Sequence, residues 1–264
     1  MVVLATVVCG LVLIYLMAKP ALAPKVNRQP ELLQNTPRKI TLTLPGASPI
    51  DAPVEDYNHP SSVWVVVSKD HPLSEQQYRA DDLQLITSVK TRPGKSAEER
   101  SLRAVLVKDL NDLFAAAQQA GYDFMISSGY RSYNTQASLY NSYVGRSGEM
   151  VANTYSAKPG QSEHQTGLAF DIRLSSGACY LDICFGDMPA GRWLAEEATN
   201  YGFIIRYPAD KTAITKYQYE PWHLRYVGQS LAKALKKSGL TLDEARPYLQ
   251  HARDELIKEN LISE

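Results

Sequence analysis

The spacing of apolar positions changes along the chain, and the changes divide it. Val2 to Met17 is an uncharged apolar run. From about Pro20 to Pro60 no period holds, and Pro20, Pro24, Pro30, Pro37, Pro45, Pro49, Pro53 and Pro60 break the chain repeatedly. Within it only Ile40-Thr41-Leu42-Thr43-Leu44 alternates as a short strand would. Val63 to Val67, rich in Val and Trp, predicts a strand. Ala97 to Ala120 carries a helical period, with Leu102, Leu106, Leu110, Leu113 and Ala117 on one face and Gly121 as its stop. Phe124 to Ser127 predicts a short strand, Ser132 to Tyr143 a helix, and Leu168 to Leu174 a strand entered by a turn. A helix over Arg192 to Tyr201 is closed by Gly202, and a strand follows at Phe203 to Arg206. Trp222 to Val227 is the last strand, followed by helices over Gln229 to Lys237 and Thr241 to Glu259, the second interrupted at Pro247. Strands and helices alternate, yet the strands are short, no glycine-rich phosphate loop follows one, and no internal repeat is visible. The pattern predicts an α+β fold: a small, mainly antiparallel sheet with helices packed around it.

The same divisions set the expected organisation: a signal peptide or membrane anchor over residues 1–23, a proline-rich linker over 24–60 and one domain over 61–264, taken as a monomer. The apolar run is short of the about 20 residues that span a bilayer. Ala21-Leu22-Ala23 offers a small-x-small cleavage site, but no Lys or Arg precedes the run, while Lys19, Lys25 and Arg28 follow it. A cleaved signal and an uncleaved anchor therefore both stand, and either exports the domain to the cell envelope. Cys9 lies inside the run, a poor fit to a lipid-modified cysteine. The charge is balanced, with 28 basic and 28 acidic residues, which removes any electrostatic argument for nucleic acid as a partner. A locally charged cleft remains compatible with that balance. Cys179 and Cys184 frame a short loop; in an exported chain a disulfide is favoured over free thiols, and no further Cys or His lies nearby to complete a structural zinc site.

Chemistry concentrates in two segments. The first is Ser162-Glu163-His164-Gln165-Thr166-Gly167-Leu168-Ala169-Phe170-Asp171, and the second Glu220-Pro221-Trp222-His223. The chain has five histidines, and two of them fall here. One histidine alone is more often structural than a ligand; the pairing with carboxylates changes the weight. On a strand Ala169 and Asp171 share a face, and His164 could fold back from the preceding turn to meet Asp171. Pro221 disfavours a regular helix around Glu220 and His223, so this is not the helical His-Glu-x-x-His arrangement. Two imidazoles, one ligand carboxylate and a spare carboxylate are the inventory of a catalytic zinc site.

These segments resemble the zinc D,D- and L,D-carboxypeptidases of bacterial cell-wall metabolism, the VanY-like group. Ser162 to Asp171 matches the motif Ser-x-His-x-x-Gly-x-Ala-x-Asp in full, and Glu220 to His223 matches Glu-Pro-Trp-His, continued by Leu224-Arg225-Tyr226-Val227-Gly228. Ser128-Gly129-Tyr130-Arg131-Ser132 and Gln136 are also in family style, with a weaker echo at His71-Pro72-Leu73. The resemblance runs from about Val63 to about Ser238. It implies the zinc-peptidase fold of that group and a Zn²⁺ held by His164, Asp171 and His223. Glu220 is implied as general base and then general acid, and Arg131 as the cation at the developing oxyanion. Ser162 and Gln136 would hold a peptidoglycan stem peptide, and Trp222 would serve core packing. The implied reaction removes a C-terminal D-alanine, from either a D,D or an L,D bond. One departure is Lys216, ahead of Tyr217, where relatives often carry glycine; it would alter a turn near the cleft. Two other readings remain open: a D-alanyl-D-alanine dipeptidase, against which the spacer favours a polymeric substrate, and a non-catalytic peptidoglycan-binding domain. The last would be expected to lose Glu220, Arg131 or a ligand, and all are present.

Overall fold

The computed structural model describes residues 39–264. The signal or anchor expected over 1–23, and residues 24–38 of the linker expected over 24–60, lie outside the described residues. In order the chain forms β1 (Thr41–Leu42), β2 (Ile50–Asp51), β3 (Leu83–Leu85), β4 (Ser101–Arg103), α1 (Val107–Gln119), β5 (Phe124–Ser128), α2 (Tyr133–Ser147) and α3 (Glu149–Tyr155). It continues through β6 (Ala169–Leu174), α4 (Cys184–Asp187), α5 (Pro189–Glu197), β7 (Phe203–Ile205), α6 (Thr212–Thr215), β8 (His223–Tyr226), α7 (Gln229–Ser238) and α8 (Leu242–Lys258). The expected α+β class holds. The central sheet has the order β5-β6-β8-β7, with every neighbouring pair antiparallel.

Alternation gives this sheet two unlike faces. Phe170, Ile172 and Leu224 join a buried apolar core with Leu110 and Leu113 of α1 and Leu194 of α5. Ala169, Asp171, His223 and Arg225 point the other way, and all four are buried. Register places Asp171 directly opposite His223, and Ala169 opposite Arg225. Between Ile126 and Ser128 the β5–β6 register shifts, so Ser128 also pairs with Asp171. Such an irregularity turns the end of a strand toward a site, here the segment leading into Arg131.

Several expected boundaries change, each for a packing reason. Residues 39–60, expected as linker, belong to the fold: β1 pairs with β2, and Leu42, Leu44, Ala52 and Tyr57 are buried in a second core with Leu231 and Leu235 of α7 and Leu249 of α8. The apolar alternation there outweighs the prolines. Val63–Val67 is largely buried but not a strand. Its carbonyls serve guanidinium groups instead: Arg225 donates to Val63 and Val65, and Arg206 donates to Val67. The helix expected from Ala97 begins only at Val107, after a 3-10 turn at Ala104–Leu106. Leu102, expected on its apolar face, reaches the same core from β4, which pairs with β3. Gly129 explains the diversion: its N–H bonds Glu99 O at 2.7 Å, and a Cβ there would lie 2.7 Å from Ser101 O. Backbone therefore packs directly on backbone. At the C-terminus α8 runs through Pro247 unbroken. A capping box between Thr241 and Glu244 starts it, and burial of Leu242, Ala245, Leu249, Ala252 and Leu256 offsets the roughly 3 kcal/mol that an interior proline costs.

One local expectation is met, the disulfide, and one is not, the altered turn at Lys216. Cys179 and Cys184 form a disulfide, closing a loop whose Leu181 reaches the rim of the cleft described below. Lys216 takes the left-handed conformation, with φ +61°, that a glycine would adopt without cost. The turn is thus kept at a cost on the order of 1 kcal/mol. Lys216 also makes an exposed ion pair with Asp70. The His71-Pro72-Leu73 segment borders a different cavity. Among the described residues no helix is long and apolar enough to cross a membrane.

Candidate active site

A 3-10 turn, Glu163–Thr166, precedes β6 and is closed by Gly167 in the left-handed region at φ +70°. That reversal brings His164 back over the strand that follows, as the spacing predicts. His164 Nδ1 lies 2.7 Å from Gly129 O. A carbonyl can only accept, so Nδ1 carries the proton and Nε2 presents a lone pair. His164 Nε2 faces Asp171 Oδ2 at 3.5 Å, and His223 Nδ1 faces Asp171 Oδ1 at 3.3 Å. One donor atom from each of His164, Asp171 and His223 lies within 4.8 Å of the others, and all three residues are buried. Two donors bound to a tetrahedral zinc at about 2.0–2.1 Å are about 3.4 Å apart, so this set fits that ion. The donor types, two imidazoles and one carboxylate, also suit it.

Electrostatics separate the groups. Burial, with Arg131 nearby, pushes His164 down to about 4. Burial opposes the charged form of His223 too, but the neighbouring carboxylates of Asp171 and Glu163 prevail and lift it to about 9. Asp171 is held well below the usual carboxylate range, because His164 and His223 outweigh its burial. Glu220 behaves oppositely: burial, reinforced by Asp171 against His223, Arg131 and Lys69, pushes it up to about 7. Its Oε2 lies 3.7 Å from His223 Nδ1. Its backbone N–H bonds Tyr207 O, and its carbonyl accepts from the His223 N–H, which fixes the turn around Pro221.

The other expected residues border the same cleft. Arg131 donates from Nη1 to Gln136 Oε1 at 2.9 Å, while its buried Nε has no partner. Gln136 also donates from Nε2 to Ala157 O at 2.7 Å, so both ends of its amide are engaged. Ser162 precedes the 3-10 turn without capping it, leaving its hydroxyl available to the cleft. Trp222 borders the cleft and packs in the apolar core. Sequence reasoning passed over Tyr207 and Tyr217, in tilted ring contact at 4.4 Å beside Glu220, and the buried trio Glu163, Arg206 and Arg225. The local signal for these was slight: Glu163 falls at a position its motif leaves unspecified, and arginine is normally an exposed residue.

Known proteins resemble this arrangement. Residues 99–229 match the family model described as VanY, D-alanyl-D-alanine carboxypeptidase. The Bacillus subtilis (strain 168) protein YodJ, which carries a carboxypeptidase name, is 41% identical over 191 residues, covering 72% of this chain and 69% of that protein. The solved structure of the LD-carboxypeptidase LdcB, described for its peptidoglycan recognition, superposes with a TM-score of 0.66 at 40% identity, covering 72% of this chain and 87% of the other. An alanine variant of the vancomycin-resistance D,D-pentapeptidase VanY from a VanB-type cassette, solved with Zn(II), superposes with a TM-score of 0.57 at 32% identity, covering 71% and 98%. With two thirds of YodJ matched at this identity, and the VanY model matching over residues 99–229, the chain belongs to the VanY family of D-alanyl-D-alanine carboxypeptidases.

Proposed function

We propose that this protein is a zinc carboxypeptidase that removes a C-terminal D-alanine from peptidoglycan stem peptides. One observation carries the reading: the buried donors of His164, Asp171 and His223 adjoin Glu220 in a cleft that also holds Arg131. A zinc ion bound there supplies a Lewis acid and lowers the pKa of water from 15.7 to about 7. Glu220 holds the proton at Oε2 and returns it to the leaving amine, a role suited to a carboxylate poised at about 7. Arg131, braced by Gln136 at the border of the cleft, meets the negative charge that develops on the carbonyl oxygen. Ser162 hydrogen-bonds the peptide. The disulfide supports action outside the cytoplasm, at the cell envelope.

Defined muropeptides test the reading. Zinc-loaded protein should shorten a tetrapeptide or pentapeptide stem by one alanine, as read by mass spectrometry, and which stem is cut assigns an L,D or a D,D bond. Exhaustive chelation should abolish the loss and zinc should restore it; full activity in metal-free protein would end the zinc mechanism. A stem with an amidated C-terminus should resist cleavage, and equal turnover of it would exclude carboxypeptidase action. Release of intact D-Ala-D-Ala, or no cleavage at all, would favour the dipeptidase or the binding-domain reading.

Arg131 has its own expected result. Arg131→Ala should lower kcat by about 10²–10³-fold with a smaller change in KM, the signature of a contact made in the transition state. Arg131→Lys keeps the charge but loses the planar fork that reaches Gln136, so it should recover little. Near-normal kinetics in Arg131→Ala would remove this residue from the mechanism.

A further inference from the structure

Behind His223, on the side away from Glu220, a fully buried carboxylate has an asymmetric set of partners. Arg206 Nε and Arg225 Nη1 both donate to Glu163 Oε1, at 2.7 and 2.8 Å. Glu163 Oε2 has no hydrogen-bond partner, nor does His223 Nε2, and these two buried atoms face each other at 3.6 Å. A carboxylate that served only to neutralise two guanidinium groups would spread its two oxygens over them, since paired N–H···O contacts are the stronger arrangement. Here both guanidinium groups share one oxygen. They are also held from behind: Arg206 reaches Asp243 in the first turn of α8 and Val67 O, and Arg225 reaches Val63 O and Val65 O. Neither can swing to take Oε2 without giving up those bonds.

We propose that Glu163 is a positioning residue that selects the ring form of His223. Its free oxygen receives the Nε2–H, so that Nδ1 presents a bare lone pair beside Asp171. The inference rests on the metal reading above. It assigns to the second histidine what the Gly129 carbonyl does for His164, and it explains the buried arginines, which aim the carboxylate. Outer partners of this kind hold a ligand's ring and proton in place, and their loss typically costs about 10–100-fold in metal affinity.

Glu163→Gln tests this with little change of shape. The amide oxygen of the substituted side chain must face the two guanidinium groups, which only donate, so its NH₂ is turned toward His223 Nε2. Two donors then meet, the ring proton moves to Nδ1, and the lone pair aimed at the metal is lost. The expected result is a zinc dissociation constant raised about 10–100-fold, measured by competition with a chromophoric chelator on protein shown to be folded. A residue that merely stabilises the fold would lower the melting temperature and leave zinc affinity in the folded protein unchanged, and that result would overturn the proposal. Nitrogen NMR of the zinc-loaded wild-type protein supplies a second measurement, independent of whether the variant folds. His223 should be bound to metal through Nδ1 and carry a slowly exchanging proton on Nε2. Metal on Nε2, or an Nε2 proton that exchanges freely, would overturn the assignment. Wild-type protein that takes up no zinc would end the metal reading and this inference with it, whereas normal zinc binding with unchanged affinity in Glu163→Gln ends only this inference.

Discussion

Glu220→Gln protein should keep its zinc and lose turnover by about 10²–10⁴-fold, the usual contribution of a general acid–base. Glutamine preserves the volume of the side chain and its place beside His223, but it cannot take up a proton. The position of Glu220 supports the proposed base role over ligation. Asp171 lies between the two imidazoles, whereas Glu220 approaches only His223, at 3.7 Å. Being only 8% exposed, it is pushed by burial to about 7, where a proton is readily gained and lost near neutral pH. Elemental analysis and steady-state turnover on a cleavable stem peptide provide the two readouts. Release of the metal by Glu220→Gln would make Glu220 a ligand and require a new role for Asp171.

His223→Ala should behave differently, losing zinc and turnover together. Two protein ligands, His164 and Asp171, would remain, one fewer than the three of a catalytic zinc site. The fold should survive the change. His223 belongs to β8 through its backbone, which accepts from the Arg206 N–H and donates to Glu220 O, and alanine keeps both bonds. Its side chain lies on the polar face of the sheet, away from the apolar core. A circular dichroism spectrum like that of the wild-type protein, together with a zinc content near zero after dialysis, is the expected pair of results. One tightly bound zinc per chain in folded His223→Ala would show that the ligand set is wrong. The contrast between the two variants separates holding the metal from moving the proton.

Much of this site was legible in the chain because its chemistry is local. His164, Gly167 and Asp171 are close enough in sequence for one turn and one strand to bring them together, and the left-handed Gly167 is the residue that permits it. Glu220 and His223 are likewise held by a single turn. The amphipathic run in α1 identified its core residues correctly even where the helix boundary moved, since Leu102 is buried whether it arrives on a helix or on β4. The linker expectation stopped being right at residue 39 because proline content describes the backbone's freedom, and leaves out what Leu42, Leu44 and Tyr57 could bury against.

By itself, the sequence determined the candidate ligand types, the spare carboxylate and candidate cation of the proposed site, the α+β class and the family resemblance. All of these depend on residue identity and on spacings within one or two turns or strands. Tertiary structure alone decided that Asp171 stands directly opposite His223 across β6 and β8, because strand register is set by pairing between segments some fifty residues apart. It alone decided that Glu163 is buried between Arg206 and Arg225, 43 and 62 residues away. A glutamate and two arginines read in isolation belong on the surface, where water solvates them. Only a folded chain that supplies each charge with its opposite, and each leftover N–H with a carbonyl, can hold them inside.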